Sequence, residues 1–329
     1  MRYTLPIASG KGGVGKTLIS ANLGIALAQS GKTVVVVDLD LGGSNLHTVL
    51  GIRNNRMGVG SFIYREADDI EALVTPTAQD RLYAILGDGL YSGTANLPFF
   101  RKRSLIRQLG TLTADYVILD LGSGSTFNTL DFYLTSNSGL IITTPDTTAV
   151  LNAYSFMKAA AFRILQRCFP PKSAERTAVM EFMQLRVEGA ERTLAELVAN
   201  LAAIDPQSGA LAQKMLEDLR PRVVLNQGQE TRDIAVGTRL RRVVRDNLAS
   251  DIEFIGYIPH DRVAARGAVD REPTLLSHPD CAFARALRQC ATRILREPVP
   301  EIPKLFPDDE DLRQLAQEFI DRESAQPSP

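Results

Sequence analysis

Two hydrophobic rhythms alternate along this chain. Tyr3-Thr4-Leu5-Pro6-Ile7-Ala8 reads as a short strand, followed by a Gly-rich turn over Ser9–Gly15. From Lys16 to Ser30 the apolar residues at 18, 19, 23, 26 and 27 recur at helical spacing. Gly31, able to adopt the left-handed conformation, predicts the stop. Val34-Val35-Val36-Val37 is then a continuous β-branched run, the pattern of a parallel strand buried on both faces. Further short apolar runs lie at Leu82–Leu86, Tyr116–Leu119, Leu140–Thr143, Val223–Leu225 and Ile252–Ile258, most of them separated by helix-like stretches. This succession predicts an α/β fold: a doubly wound, mostly parallel sheet flanked by helices.

The rhythm breaks twice. Between Gln166 and Val223 about 50 residues carry no strand signal. Pro170-Pro171 marks a stop, and Ala174–Ala203 and Gln207–Leu219 read as helical. An apolar stripe there includes Val179, Phe182, Met183 and Val187, then Leu194, Leu197, Val198 and Leu201. The α/β pattern resumes afterwards, so residues 167–221 are expected to form a helical insertion within one large domain, 1–297. The second break is the tail, 298–329, which opens on Pro298, Pro300 and Pro303. Pro307-Asp308-Asp309-Glu310-Asp311 has the acidic character favoured at a helix start. Leu312, Leu315, Ala316, Phe319 and Ile320 then share one face of a short amphipathic helix.

Composition narrows the class. Hydrophobic residues make up 44% of the 329 and charged residues 23%, as in an ordinary globular protein. With no Trp and 6% aromatic residues, the core must be aliphatic. The 37 basic and 38 acidic residues nearly cancel, but residues 301–329 carry −5 against +4 for the rest, so the acidity is concentrated in the tail. Three scattered cysteines, Cys168, Cys281 and Cys290, make no disulfide framework and no CxxC pair. The first residues do not read as a signal peptide, and no apolar run reaches the ~18 residues of a membrane span. A cytoplasmic protein is expected.

Chemistry enters at the first turn. Gly10-Lys11-Gly12-Gly13-Val14-Gly15-Lys16-Thr17 fits GxxxxGK[ST], placed between a strand and a helix as that phosphate-binding motif requires. Its glycines let backbone N–H groups surround phosphate oxygens, and the helix N-terminus adds its positive end. Lys16 is placed to reach the β- and γ-phosphates, and the Thr17 hydroxyl to ligate Mg²⁺.

Lys11, directly after the first glycine, makes KGGVGKT resemble the deviant Walker A motif of the MinD/ParA ATPases, a branch of the SIMIBI class of P-loop NTPases. The resemblance implies that Lys11 reaches across a nucleotide-sandwiched dimer to the partner's phosphates, where a cation offsets charge developing in phosphoryl transfer. Asp38-Leu39-Asp40-Leu41-Gly42-Gly43-Ser44-Asn45-Leu46 resembles the family's switch I stretch, DxDxGxxNL. By that resemblance Asp40 orients the attacking water and Asp38 helps hold the Mg²⁺ shell. Tyr116-Val117-Ile118-Leu119-Asp120 followed by Leu121-Gly122-Ser123-Gly124 looks like Walker B with switch II, Asp120 binding Mg²⁺ through water and Gly122 sensing the γ-phosphate. The stretch keeps Asp120 and Gly124 but has no Pro, unlike many members, which brings the chain closer to the FlhG-like branch. Asn226 matches the asparagine that reads the adenine edge, and Pro259 the stretch beside the base. The implied cofactors are ATP and Mg²⁺.

The family's branches differ in their attachments. Iron–sulfur members need cysteine ligands, whereas Cys281 and Cys290 sit in a helical pattern with eight residues between them and read as packing residues. MinD inserts a basic amphipathic helix into anionic membranes. An acidic one would be repelled, so this tail is expected on a protein groove or on its own body. Arg241, Arg242 and Arg245 could share a face of one helix, and Arg101, Lys102, Arg103 and Arg107 form another cluster; non-specific DNA contact is the less favoured reading of both. The expectation is therefore a slow Mg²⁺-dependent ATPase, an ATP-dependent homodimer that regulates positioning or assembly and whose hydrolysis a protein partner stimulates. The alternative is an ATP-dependent amidase or synthetase of the cobyrinic acid or dethiobiotin type.

Overall fold

The computed structural model describes residues 2–87, 97–184, 193–297 and 309–324. The first half runs β1 (Tyr3–Ser9), α1 (Lys16–Gln29), β2 (Val34–Leu39), α2 (Leu46–Val49), α3 (Val59–Ile63), β3 (Thr75–Pro76), β4 (Leu82–Ile85), α4 (Phe99–Leu109), β5 (Tyr116–Ser123) and α5 (Phe127–Tyr133). It continues with β6 (Leu140–Thr143), α6 (Thr147–Cys168), α7 (Ala174–Gln184), α8 (Leu194–Ile204), α9 (Pro206–Asp218) and β7 (Arg222–Gly228). The chain then forms α10 (Ala235–Leu248), β8 (Glu253–Pro259), α11 (Arg262–Asp270), α12 (Thr274–Ser277), α13 (Ala282–Arg296) and α14 (Glu310–Ser324).

The strands form one eight-stranded sheet in the order β3-β4-β2-β5-β1-β6-β7-β8. All pairings are parallel except β3 with β4. The Val34–Val37 run shows why such a strand is apolar throughout. Val35 and Val37 enter the core on one side of the sheet, and Val34 and Val36 enter the core on the other. Helix α1 lies close on the second side, since a Cβ at Gly24 would stand 2.8 Å from Val36 Cγ2. Helix α13 packs there too: Cys290 Sγ fills the space over Gly256, 2.2 Å from where a Cβ would be. Cys290 is a packing residue, as expected.

The insertion joins the opposite core. Val179, Phe182, Leu194, Leu197, Leu201, Ala212 and Leu216 share one cluster with Phe162 and Leu165 of α6. Helix boundaries match the expected ones except that Ala174–Ala203 contains two helices, α7 and α8; Val187 lies outside the described residues. Met183 turns outward rather than into the core.

The tail helix docks on the body of the same chain. Leu312, Leu315 and Phe319 are buried in the shared core, Leu312 against Gly237 and Phe254. Arg241 of α10 is 1% exposed and pairs with Asp309 and Asp311, and Asp311 also accepts from the Phe254 amide at 2.8 Å. This corrects the reading of Arg241, Arg242 and Arg245 as one basic face. Arg241 is consumed internally and Arg245 pairs with Asp251 at 2.7 Å, because acidic groups next in space draw them in. The second cluster is divided in the same way: Lys102 is buried on Asp131, and Arg101 bonds the Ile63 carbonyl at 2.9 Å.

Candidate nucleotide site

The site lies at the carboxyl ends of β1, β2 and β5, where an open parallel sheet offers its crevice. Between β1 and α1, Gly13 and Gly15 take φ of +81° and +88°, a region side chains other than glycine avoid. Gly10 is needed for another reason: a Cβ there would stand 2.0 Å from the Asn152 carbonyl oxygen of α6. The N-cap of α1 is Gly15, which has no side chain to cap the first turn, and no acidic residue lies in that turn, so its positive end is left for an anion.

Lys16 and two carboxylates meet beneath this loop. Asp38 and Asp120 are register partners on β2 and β5, and both are fully buried. Lys16 Nζ lies 3.1 Å from Asp120 Oδ1, which also accepts from Ser20 Oγ at 2.9 Å. Asp120 Oδ2 is buried with no hydrogen-bond partner among the described residues. Asp38 accepts from Ser44 Oγ at 2.6 Å and from the amides of Asp40 and Leu46, each at 3.1 Å. Burial, and after it the charge of Asp120, push the Asp38 carboxyl up to about 7.

That shift has a sign. Between the ordinary carboxylate range near ~4 and about 7 the folded protein binds more protons at Asp38 than the unfolded chain does. Without metal, stability should therefore fall as pH rises through that window. Urea titrations in chelator at pH 5 and pH 7 should show the loss, and Asp38→Asn should remove most of it. A flat profile in the wild type would rule out this placement of the charge.

The donor set fits Mg²⁺: an orphaned carboxylate oxygen, a second buried carboxylate beside it, and the half-buried Thr17 in the first turn of α1. Among the described residues no three His, Cys, Asp or Glu side chains converge on a metal position. Phosphate oxygens and water would have to complete the shell, as with a nucleotide-borne ion.

Asp40 reaches towards switch II. A Cβ at Gly122 would lie 3.2 Å from Asp40 Oδ1, so the two predicted switch segments touch at a glycine. Lys11 is exposed at the rim, where its Nζ donates to Asp146 Oδ2 at 3.0 Å and Thr148 Oγ1 at 2.8 Å. Asp146 also caps α6, and hydrogen bonds from Thr148 and Lys11 hold its carboxyl down at about 2. Sequence reasoning missed Asp146, although a strand-end Asp before a helix is a recognisable signal. It also missed Ser20 and Ser44, which only the fold brings to the carboxylates.

Asn226 and Pro259 come to the same end of the sheet on β7 and β8. Asn226 is buried and its Nδ2 donates to the Val14 carbonyl at 2.8 Å, bracing the phosphate loop. Gly228 pairs with Pro259, and the His260 amide donates to the Gly228 carbonyl at 2.7 Å, joining the two loops. Beside switch II, Phe99 and Phe127 are 69% and 63% exposed at the mouth of a cavity of about 620 Å³ that also involves Lys102 and Arg163. Among the described residues no helix is long and apolar enough to cross a membrane.

Known proteins share this fold and part of this sequence. The flagellum site-determining protein YlxH of Helicobacter pylori is 34% identical over 159 residues, 47% of this chain and 52% of that protein. The septum site-determining protein MinD of Bacillus subtilis is 34% identical over 160 residues, 46% of this chain and 57% of that one. The chain thus spans about half the length of the curated relatives it matches. In fold it is similar to the Mg-ADP complex of MinD from Pyrococcus horikoshii, with a TM-score of 0.61 at 21% identity over 92% of this chain and 100% of that one. Residues 5–273 match the CobQ/CobB/MinD/ParA nucleotide binding domain. With a match over most of its length and the phosphate loop, paired carboxylates and second lysine in place, the chain belongs to that family.

Proposed function

We propose that the chain is a Mg²⁺-dependent ATPase that switches between monomer and homodimer and thereby regulates cellular positioning or assembly. The observation that carries this reading is the gathering of Lys11, Lys16, Asp38, Asp40 and Asp120 around one glycine-rich loop at the open end of the sheet. ATP would lay its β- and γ-phosphates in the loop, against the N-terminus of α1. Lys16 would exchange Asp120 for phosphate oxygens. Thr17 and Asp120, with Asp38 behind them, would hold Mg²⁺, which supplies charge neutralisation on the phosphates.

Asp40 would orient a water for in-line attack on the γ-phosphorus. The new P–O bond forms as the bond to the β–γ bridging oxygen breaks, giving ADP and inorganic phosphate, with the water's proton released to solvent. Gly122, lying against Asp40, offers its amide to the γ-phosphate, so bound ATP and bound ADP would set the two switches differently. Lys11 would leave Asp146 and Thr148 and cross to the partner's nucleotide. Its present contacts are exposed and therefore weak enough to break.

Two relatives are named for determining flagellum and septum sites, and the MinD of Aquifex aeolicus is known in complex with MinC. We extend from these to a cytoplasmic switch whose ATP-bound dimer engages a protein partner that stimulates slow turnover. Phosphate release from Mg·ATP tests the chemistry. Asp40→Ala should retain ATP binding and lose turnover by about 10²-fold or more. Unchanged turnover would remove Asp40 from the reaction.

A further inference from the structure

The tail helix contacts β8, the strand that ends at Pro259. Phe319 of α14 meets Tyr257 of β8 edge to face, with ring centroids 5.0 Å apart and planes at 87°. Tyr257 is 2% exposed, and its ring passes under Gly228, where a Cβ would come within 2.1 Å of the hydroxyl oxygen. That hydroxyl donates to the Glu230 carbonyl at 2.8 Å. The segment it holds is already tight, because Asp233 Oδ2 accepts from the amides of Gln229 at 2.7 Å and Glu230 at 3.0 Å. Its other end is Gly228, whose carbonyl accepts from the His260 amide in the β8–α11 loop.

A series of contacts therefore runs from the tail to the ends of β7 and β8, the side of the crevice on which the proposed ATP site would take the adenine. We infer that Tyr257 is a positioning residue for the nucleotide base, and that the acidic C-terminal helix, through Phe319, is a strap that fixes it. The inference rests on the reading of the crevice as an ATP site and adds a role for the tail within it. Three features anchor the strap: the buried Arg241 pairs with Asp309 and Asp311, the ion pair of Arg293 with Glu318, and the apolar seat of Leu312 and Leu315. The tail's acidity thus has an intramolecular use, in which its carboxylates meet arginines of α10 and α13.

A strap that acts on the base alone must leave the phosphate end untouched, and titration calorimetry can separate the two. Full-length wild type, Tyr257→Phe and Phe319→Ala would be titrated with Mg·ATP and, separately, with Mg·tripolyphosphate. Tyr257→Phe keeps the ring and removes only the hydroxyl, so folding should survive it. Its Kd for ATP should rise about three- to tenfold, the range of one lost hydrogen bond, while the Kd for tripolyphosphate stays within about twofold of wild type. Phe319→Ala should do the same while circular dichroism shows an intact fold. If both ligands weaken equally, or neither weakens, the strap is merely structural and the inference falls. If wild type binds tripolyphosphate but not ATP, the ATP reading itself fails, and the inference with it.

Discussion

Replacing Lys16 with alanine should abolish measurable ATP hydrolysis, lowering kcat by about 10²–10³-fold and weakening nucleotide binding as well. The side chain is nearly enclosed, and its ammonium is the cation the structure places against Asp120. Its loss has two effects. No fixed charge would follow the γ-phosphoryl group into the transition state, and Asp120 would face Asp38 without a counter-ion on the register pair of β2 and β5. The second effect predicts that metal-free Lys16→Ala is less stable at pH 8 than at pH 5 by a wider margin than wild type. Phosphate release and denaturation at the two pH values check both. Turnover within tenfold of wild type would mean that the loop does not bind the transferred phosphate.

The largest effect on stability is expected at Arg241. It is enclosed among Asp309, Asp311 and the Ile252 carbonyl, with the Phe254 ring 5.2 Å from the guanidinium carbon. Arg241→Met should destabilise the protein by about 3–5 kcal/mol, because two carboxylates would be left at a buried boundary without their cation. At roughly 2–4 °C per kcal/mol for a domain of this order of size, the melting temperature should fall by about 6–20 °C. Adding Asp309→Asn and Asp311→Asn should restore much of the loss, since the uncompensated charge is then gone while an amide oxygen at 311 can still accept from Phe254. A surface arginine would show neither the loss nor the rescue.

Much of this was legible in the sequence, for physical reasons. A strand buried on both faces has no polar position, so Val34–Val37 could be little else, and a phosphate loop needs glycines at fixed places before a lysine. Asp38 and Asp120 were recognisable because each ends an apolar run, and the parallel register then sets them side by side. Thr75–Pro76 was not legible, since two residues pairing antiparallel at a sheet edge carry no periodicity. Arg241 was misread for a related reason: a helix face written in arginines looks solvated until the carboxylates of a distant segment are known to cover it. Asn226 was legible as a site residue, but its hold on the Val14 carbonyl depends on a contact across more than 200 positions. Lys11 stood out by its place in the motif, whereas its contacts with Asp146 and Thr148 required the fold.

In the proposed switch, ATP joins two copies of this chain through Lys11. The decisive measurement is the molar mass of Asp40→Ala by light scattering in Mg·ATP and in Mg·ADP, repeated in both with Lys11→Ala added. The expected result is a dimer in ATP, a monomer in ADP, and a monomer in either nucleotide once Lys11 is removed. A mass that stays the same in both nucleotides, with ATP shown to be bound, would contradict it.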